Sequence, residues 1–198
     1  MTKTIGLTGG IGSGKTTIAH YFQSKGIPIY IADDEARIIM QSEAIIEAIK
    51  NSFGKDLFEN NVLNRQKLAE IVFNDADQLK RLNGIVHPAV KNHFKEWLQT
   101  KSHCQFIIYE SAVLFENDSY KNFDYIIAVT APLEERIQRV IARDATTREQ
   151  IQQRIVAQWT DEQRVSKSDY VIENSNLETA KRKVDEILKI LEIKQKES

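Results

Sequence analysis

A glycine-rich segment near the start of the chain has the residue types and spacing needed to bind phosphate. It reads GLTGGIGSGKTT over residues 6–17, and five of those twelve residues are glycine. Residues 9–16 match the pattern G-x-x-x-x-G-K-[ST]. Where side chains are absent, successive backbone N–H groups can point inward towards phosphate oxygens. The lysine adds a cation, and the last hydroxyl adds a ligand for Mg²⁺.

The pattern gives each residue of this loop a predicted role. Lys15 reaches the β- and γ-phosphates and is a candidate catalytic residue, the Thr16 hydroxyl binds Mg²⁺, and Thr17 makes a further phosphate contact. The other predicted nucleotide contacts lie in the loop itself: Gly10, Ile11, Gly12, Ser13 and Gly14. The alternative is a glycine-rich turn that only joins a strand to a helix. We favour phosphate binding because the motif requires a strand before it and a helix after it, and both are predicted here.

The elements that position this loop are predicted by apolar runs that alternate with helical patterns. Buried strands are indicated by KTIGLTG, IPIYIA, QFIIYESAVLF, DYIIAVTA and DYVIEN. Strands that are separated by helices form a parallel sheet covered on both faces. We therefore expect an α/β fold of three layers, with a mainly parallel sheet of about five strands.

Residues 33–101 depart from that alternation, because helical periods run through almost all of them. They predict a mostly helical insertion. His87-Pro88 falls inside it and is typical of a helix boundary. Further along, PLEERIQRVIARD predicts a helix that starts at Pro132, and TTRE (residues 146–149) fits a capping box before the next helix.

The bulk composition narrows the classes of partner. The 198 residues include 27 basic and 28 acidic side chains, and the formal net charge of −1 argues against nucleic acid as the main partner. A single cysteine excludes an internal disulfide and fits a reducing compartment. The start lacks a signal-peptide pattern, and no apolar run approaches membrane-spanning length. We expect a cytoplasmic protein with no membrane association, no zinc site and no obligate protein partner.

Acidic and arginine side chains elsewhere are candidates for phosphoryl-transfer chemistry. Asp33 follows the second predicted strand, at the carboxyl edge of the sheet where ligands bind, and could orient or accept a hydroxyl proton. Its alternative role is a helix N-cap. Arg136, Arg139 and Arg143 share one face of a predicted helix and could reach phosphates. We interpret Arg136 as a solvated residue paired with a neighbouring acid.

Loops of this kind occur in GTPases, motors and small-molecule kinases. The D-x-x-G and N/T-K-x-D motifs of GTPases do not occur in the sequence. Motors and transport ATPases are usually larger, and one of their strands ends in an acid, as FIIYE does with Glu110. The size of the chain, its helical insertion and its late arginine-rich helices favour a kinase that closes over a small acceptor.

Short segments along residues 4–174 resemble, in order and approximate spacing, the dephospho-coenzyme A kinase family. They read IGLTGGIGSGKTTIA, ADDEAR, NRQKLAEIVF, HPAV, VLFE, RVIARD, RIVAQ and DYVIEN. The resemblance implies transfer of the ATP γ-phosphoryl group to the ribose 3′-hydroxyl of dephospho-coenzyme A, which gives coenzyme A and ADP. It implies a P-loop NTPase fold in three parts: a nucleotide-binding core (residues 1–32, 103–131 and 160–198), a helical acceptor domain (33–102) and two lid helices (132–159).

The resemblance also implies roles for individual residues. Asp33 matches the second aspartate of the family's Asp-Ala-Asp motif, which implies that it binds the acceptor and acts in catalysis. Arg143 is implied to contact phosphate and to stabilise the transition state, with Arg139 as a second nucleotide contact. The implied acceptor contacts are Arg65, His87 and Leu114, and the residue implied to lie near adenine is Asn174.

Two positions depart from the family pattern. Ile31 stands where the first acid of the Asp-Ala-Asp motif is usual, and Ala112 replaces a proline just before VLFE. At this point Arg65 and His87 could equally have structural roles in the helical insertion, and Asn174 could belong to a turn or cap a helix. Two other functions also remain open. One is a P-loop nucleoside or metabolite kinase with another acceptor, and the other is a nucleotide-sensing module without turnover.

Overall fold

The apolar runs of the sequence form a parallel sheet. The computed structural model describes residues 2–59 and 62–197. The strands are β1 (Lys3–Thr8), β2 (Ile29–Ile31), β3 (Phe58–Glu59), β4 (Val62–Leu63), β5 (Phe106–Glu110), β6 (Tyr125–Thr130) and β7 (Tyr170–Glu173). Within the described residues, five of them pair in parallel in the order β2-β5-β1-β6-β7. Strands β3 and β4 form a separate antiparallel pair.

Helices lie between the strands. They are α1 (Lys15–Ser24), α2 (Ala32–Ile39), α3 (Glu43–Phe53), α4 (Arg65–Asn74), α5 (Ala76–Thr100), α6 (Leu133–Asp144), α7 (Arg148–Val156), α8 (Asp161–Val165) and α9 (Leu177–Glu197). Among the described residues, 3₁₀ turns occur at Lys55–Leu57 and Ser119–Asn122. The chain divides into two compact units, one from 1–31 and 101–198 and the other from 32–100. The α/β fold with a sheet of five parallel strands is confirmed.

Both faces of the sheet are covered in the first unit. On one face, Ile5 and Leu7 of β1 pack with side chains of α1 and α9 in a single apolar cluster. Because side chains alternate along a strand, Gly6 faces the other way. A Cβ on Gly6 would lie 2.8 Å from Ile126 and 2.9 Å from Leu114, so that face is also tightly packed.

In the second unit, the longest helix runs through its proline. Pro88 lies inside α5, which continues from Ala76 to Thr100. The expected helix boundary at His87-Pro88 is therefore wrong. A proline inside a helix costs about 3 kcal/mol. Helices α2, α3 and α4 all pack against α5, and this packing offsets the cost of the missing hydrogen bond.

The start of α7 differs from the sequence expectation by one residue. Thr147 is the N-cap, and it forms a capping box with Gln150. The TTRE pattern predicted the box one residue earlier. Among the residues that the structure describes, no helix is long and apolar enough to cross a membrane.

Candidate active site

The phosphate-binding motif forms the turn between β1 and α1. Gly12 and Gly14 have φ angles of 78° and 84°, in the left-handed region that favours glycine. The Ser13 N–H donates to the Gly10 carbonyl at 3.1 Å and tightens the turn. Gly14 is the N-cap of α1 and has no side chain with which to cap it. The positive end of α1 can therefore receive an anion.

A buried acid completes the polar cluster beside this loop. Glu110, the last residue of β5, is 2% exposed. Its Oε2 accepts a hydrogen bond from the Thr16 hydroxyl at 3.1 Å, and its Oε1 lies 3.5 Å from the Lys15 ammonium. Strand β5 pairs directly with β1, and Glu110 is level with Leu7. This register places the Glu110 carboxylate beside the start of the phosphate-binding loop.

Sequence reasoning assigned no role to Glu110 in a kinase. The signal was present, because FIIYE is a buried strand that ends in a carboxylate. In a sequence, such a strand after a phosphate-binding loop is typical of larger ATPases. The sequence alone did not indicate that β5 is the neighbour of β1, and this pairing brings Glu110 to Lys15 and Thr16.

The residues at this cluster fit a magnesium ion. The Thr16 hydroxyl and the Glu110 carboxylate are hard oxygen donors that lie 3.1 Å apart. Mg²⁺ prefers oxygen ligands and usually keeps water and phosphate oxygens in the rest of its shell. Across residues 2–59 and 62–197, no group of three or more His, Cys, Asp or Glu side chains could hold a metal ion. An ion here would share its coordination with a nucleotide.

Asn174, directly after β7, forms a hydrogen bond with the phosphate-binding loop. Its side-chain N–H donates to the Ser13 carbonyl at 2.8 Å, and the residue is 6% exposed. A Cβ on Gly14 would collide with the Asn174 amide. Arg139 of α6 donates to the Asn174 backbone carbonyl at 2.7 Å and to Glu135 at 2.9 Å. The structure thus brings Asn174 and Arg139 together beside the loop.

Arg143 is engaged by its neighbour in sequence. Its Nε and Nη2 donate to the two carboxylate oxygens of Asp144 at 2.6 and 2.9 Å. This pairing raises the pKa of Arg143 and lowers the pKa of Asp144. The Arg143 side chain remains 66% exposed. A phosphate group would have to compete with Asp144 for this exposed guanidinium.

Arg136 is buried, so its interpretation as a solvated residue is wrong. It is 6% exposed. Its Nε donates to the Ile11 carbonyl at 2.9 Å, and its Nη1 lies 3.0 Å from Asp161. The helical pattern indicated which arginines share a face of α6. It did not indicate that Arg136, at the start of that face, is covered by the loop. The Ile11 N–H donates to Gln158 at 2.9 Å, so protein groups bind both backbone polar atoms of Ile11.

Leu114 is a core residue. It is 0% exposed and packs against Gly6. Its side chain has no accessible surface in this structure, and the predicted contact of Leu114 with the acceptor stays a prediction. Glu116, two residues further along VLFE, accepts hydrogen bonds from Arg164 and from the Trp159 backbone, both at 2.9 Å.

The remaining predicted residues lie in the second unit. Asp33 is in the acidic first turn of α2, two residues after β2 ends. Arg65 is the first residue of α4 and donates to the Arg37 carbonyl at 2.8 Å. His87 lies in α5, where partial burial lowers its pKa. Burial thus favours the neutral imidazole, which can donate one hydrogen bond and accept another.

A family comparison agrees with these features. The family model described as Dephospho-CoA kinase matches residues 3–179. The chain belongs to the dephospho-coenzyme A kinase family. This family catalyses the last step of coenzyme A biosynthesis, and the assignment confirms the kinase predicted from the sequence.

Individual relatives support the assignment to dephospho-coenzyme A kinases. A dephospho-CoA kinase from Fusobacterium nucleatum is 43% identical over 183 residues, which cover 91% of this chain and 94% of that protein. One from Bacteroides fragilis is 38% identical over 175 residues, covering 88% and 85%. The crystal structure of TT1252 from Thermus thermophilus superposes with a TM-score of 0.86 at 32% identity, covering 94% of this chain and 96% of that one.

Proposed function

We propose that this kinase transfers the γ-phosphoryl group of ATP to the ribose 3′-hydroxyl of dephospho-coenzyme A. The observation that carries the donor half is the contact of Lys15 and Thr16 with the buried Glu110 at the open end of α1. The family assignment carries the acceptor half. A cytoplasmic location is part of this proposal, and the lone cysteine, which fits a reducing compartment, supports it.

The donor half binds and orients the triphosphate. Backbone N–H groups of the loop and of the first turn of α1 donate to phosphate oxygens. Lys15 exchanges its 3.5 Å contact with Glu110 for the phosphates. Thr16 and Glu110 would hold Mg²⁺, which supplies positive charge to the β- and γ-phosphates when it is bound. Arg139 and Arg143 of α6 offset the charge that develops during transfer.

The acceptor half positions one hydroxyl group. Ile31, the last residue of β2, is level with Glu110 in the sheet, and the chain reaches Asp33 two residues later. We assign to Asp33 the orientation and deprotonation of the 3′-hydroxyl. Arg65 and His87 are assigned to the acceptor within residues 33–102, and residues 132–159 are assigned to a lid that keeps water from the reacting groups.

The reaction is a displacement at phosphorus. The acceptor 3′-oxygen forms a bond to the γ-phosphorus while the bond from that phosphorus to the β,γ-bridging oxygen breaks, and ADP leaves. The hydroxyl proton passes to the Asp33 carboxylate and then to solvent. Positioning and charge stabilisation account for most of the catalysis in such transfers.

The direct test is acceptor-dependent release of ADP. We expect ADP release with dephospho-coenzyme A, together with a product phosphorylated at the 3′-hydroxyl, identified by mass spectrometry and phosphorus NMR. Coenzyme A is the matched control because its 3′-position is already phosphorylated. Turnover with a panel of nucleosides but not with dephospho-coenzyme A would overturn the acceptor assignment. ATP binding without any turnover would indicate a nucleotide sensor instead.

Substitution of Asp33 tests the catalytic assignment. Asp33→Asn keeps the size of the side chain and removes the base. We expect kcat to fall about 10²–10⁴-fold, the usual contribution of a positioned general base, while the dissociation constant of ATP stays unchanged. Asp34→Asn is the matched control in the same helical turn. Unchanged turnover in Asp33→Asn contradicts the role.

A further inference from the structure

We infer that Arg136 and Gln158 are positioning residues that hold the phosphate-binding loop in its nucleotide-accepting shape. Both act on Ile11, in the middle of the loop. The inference rests on the nucleotide-binding part of the proposed function, but not on the identity of the acceptor.

Three separate contacts fix Ile11. Its N–H donates to the Gln158 side-chain oxygen at 2.9 Å. Its carbonyl accepts from Arg136 Nε, also at 2.9 Å. Its side chain packs against the apolar cluster of α6 and α7, which contains Ile137, Val140 and Ile151. A loop rich in glycine has many accessible conformations, and these contacts select one of them.

The glycines beside Ile11 fit closely against Arg136. A Cβ on Gly10 would collide with the Arg136 guanidinium group, and a Cβ on Gly12 would collide with the Arg136 backbone. The loop therefore lies directly on the first half of α6. Gly10 and Gly12 are needed for this contact as well as for the approach of phosphate.

Arg136 is itself fixed by a network of charges in which the two arginines are buried and the two carboxylates are partly exposed. Asp161 accepts from Arg136 at 3.0 Å, and its other oxygen lies 3.4 Å from Arg164. Arg164 is 0% exposed and donates to Glu116 at 2.9 Å. The two arginines and two carboxylates balance in charge. A buried guanidinium held in this way has little freedom to move, so it can hold the loop rigidly.

The hydrogen bond to Gln158 determines which amide N–H groups of the loop can face the ligand. The sequence pattern predicts Ile11 as a nucleotide contact, yet its N–H points to Gln158 and not towards phosphate. Without that acceptor, the Ile11 peptide can turn, and ATP must then order the loop as it binds. Nucleotide affinity should therefore fall, because part of the binding free energy is used to order the loop.

The test is Gln158→Leu, which keeps the bulk of the side chain and removes the acceptor. We expect the dissociation constants of ATP and ADP, measured by calorimetry, to rise about five- to tenfold, the loss typical of one hydrogen bond. The KM for ATP should rise equally, while the KM for dephospho-coenzyme A stays within about twofold. Hydrogen exchange of the peptide covering residues 6–17 should accelerate in the free protein.

Two comparisons keep the test decisive. Gln105→Leu makes the same change at an exposed residue just before β5, at the end of that strand opposite Glu110, and should leave both nucleotide affinity and loop exchange unchanged. Arg136→Lys keeps the charge beside Asp161 but loses the fixed Nε–H, and should weaken nucleotide binding in the same direction as Gln158→Leu.

Some outcomes would overturn the inference. One is wild-type nucleotide affinity together with wild-type loop exchange in Gln158→Leu. Another is an equal rise in KM for both substrates with a large fall in melting temperature, which would indicate a general structural role. Because calorimetry needs no acceptor, a wild-type protein that binds ATP but does not phosphorylate dephospho-coenzyme A would refute the proposed function and leave this test intact.

Discussion

Glu110 is a single carboxylate that contacts the two loop side chains most directly concerned with phosphate. It is buried, it accepts from the Thr16 hydroxyl, and it lies near the Lys15 ammonium. The Glu110 carboxylate lies close enough to balance the charge of Lys15. In the proposed mechanism the phosphates of the nucleotide would contact Lys15 instead, and the carboxylate would then be available to a metal ion.

Removal of this charge should impair magnesium-dependent turnover. In Glu110→Gln the side chain keeps its size but loses its negative charge. We expect the apparent affinity for Mg²⁺ and the turnover rate to fall about 10–100-fold, as is usual when groups that support a metal are removed. A magnesium titration of the kinase rate measures both. Glu173→Gln, at the exposed end of β7, is the control. Wild-type magnesium dependence in Glu110→Gln would contradict the assignment.

Sequence reasoning at the scale of residues is strongest where the structure is local. The spacing within residues 9–16 is enough to predict the strand, turn and helix that hold Lys15 and Thr16, and the structure has all three. Glu110 lies 94 positions from Thr16, and Gln158 lies 147 positions from Ile11. Contacts at such separations depend on strand order and helix packing, which a single sequence does not specify.

Helix α5 continues through residues that usually weaken or end a helix. It contains both Gly84 and Pro88 and is still continuous. Proline removes the hydrogen bond to the residue four positions earlier, which is Gly84. The sequence predicted the helix but also a boundary inside it, because rules for a single helix leave out its packing against α2, α3 and α4.

Gly84 therefore offers a stabilising substitution. A Cβ added there would meet no atom within 4 Å, and the residue is helical. We expect Gly84→Ala to increase the free energy of unfolding by about 0.5–1 kcal/mol, because alanine loses less conformational entropy when it enters a helix. Urea denaturation followed by circular dichroism measures the change.

Gly26 is the matched control for this prediction. A Cβ would meet no atom within 4 Å there either, but its φ angle is 84°. Gly26→Ala should therefore destabilise the protein by about 1–2 kcal/mol, the cost of a left-handed conformation for a residue with a side chain. If both substitutions changed stability in the same direction, backbone conformation would not be the deciding factor.

At the scale of the whole molecule, the core and the nucleotide site share elements. Helix α1 begins at Lys15 of the loop, and its Ile18 and Phe22 are fully buried in the main core cluster. Helix α9 supplies Val184, Ile187 and Leu191 to the same cluster, although the family match ends at residue 179. The loop is therefore attached to the main apolar cluster of the first unit, and its order depends on the folding of that unit.

This coupling predicts that nucleotide raises the melting temperature of the protein. A ligand at 100 times its dissociation constant stabilises the folded state by about 2.7 kcal/mol. For a chain of this length, that corresponds to a shift of roughly 5–10 °C. The measurement is thermal unfolding with increasing ATP and magnesium in the absence of acceptor, so that no turnover consumes the ligand.

Substitution of Lys15 separates ATP binding at the loop from a general effect of added ATP and magnesium on stability. In Lys15→Ala the loop loses its cation, so we expect the ATP-dependent shift to disappear at the same concentrations. Lys167→Ala removes an exposed lysine after α8 and should retain the full shift. An equal shift in both variants would mean that ATP stabilises the protein elsewhere. In that case the phosphate-binding loop would not be the site through which nucleotide binding is coupled to folding.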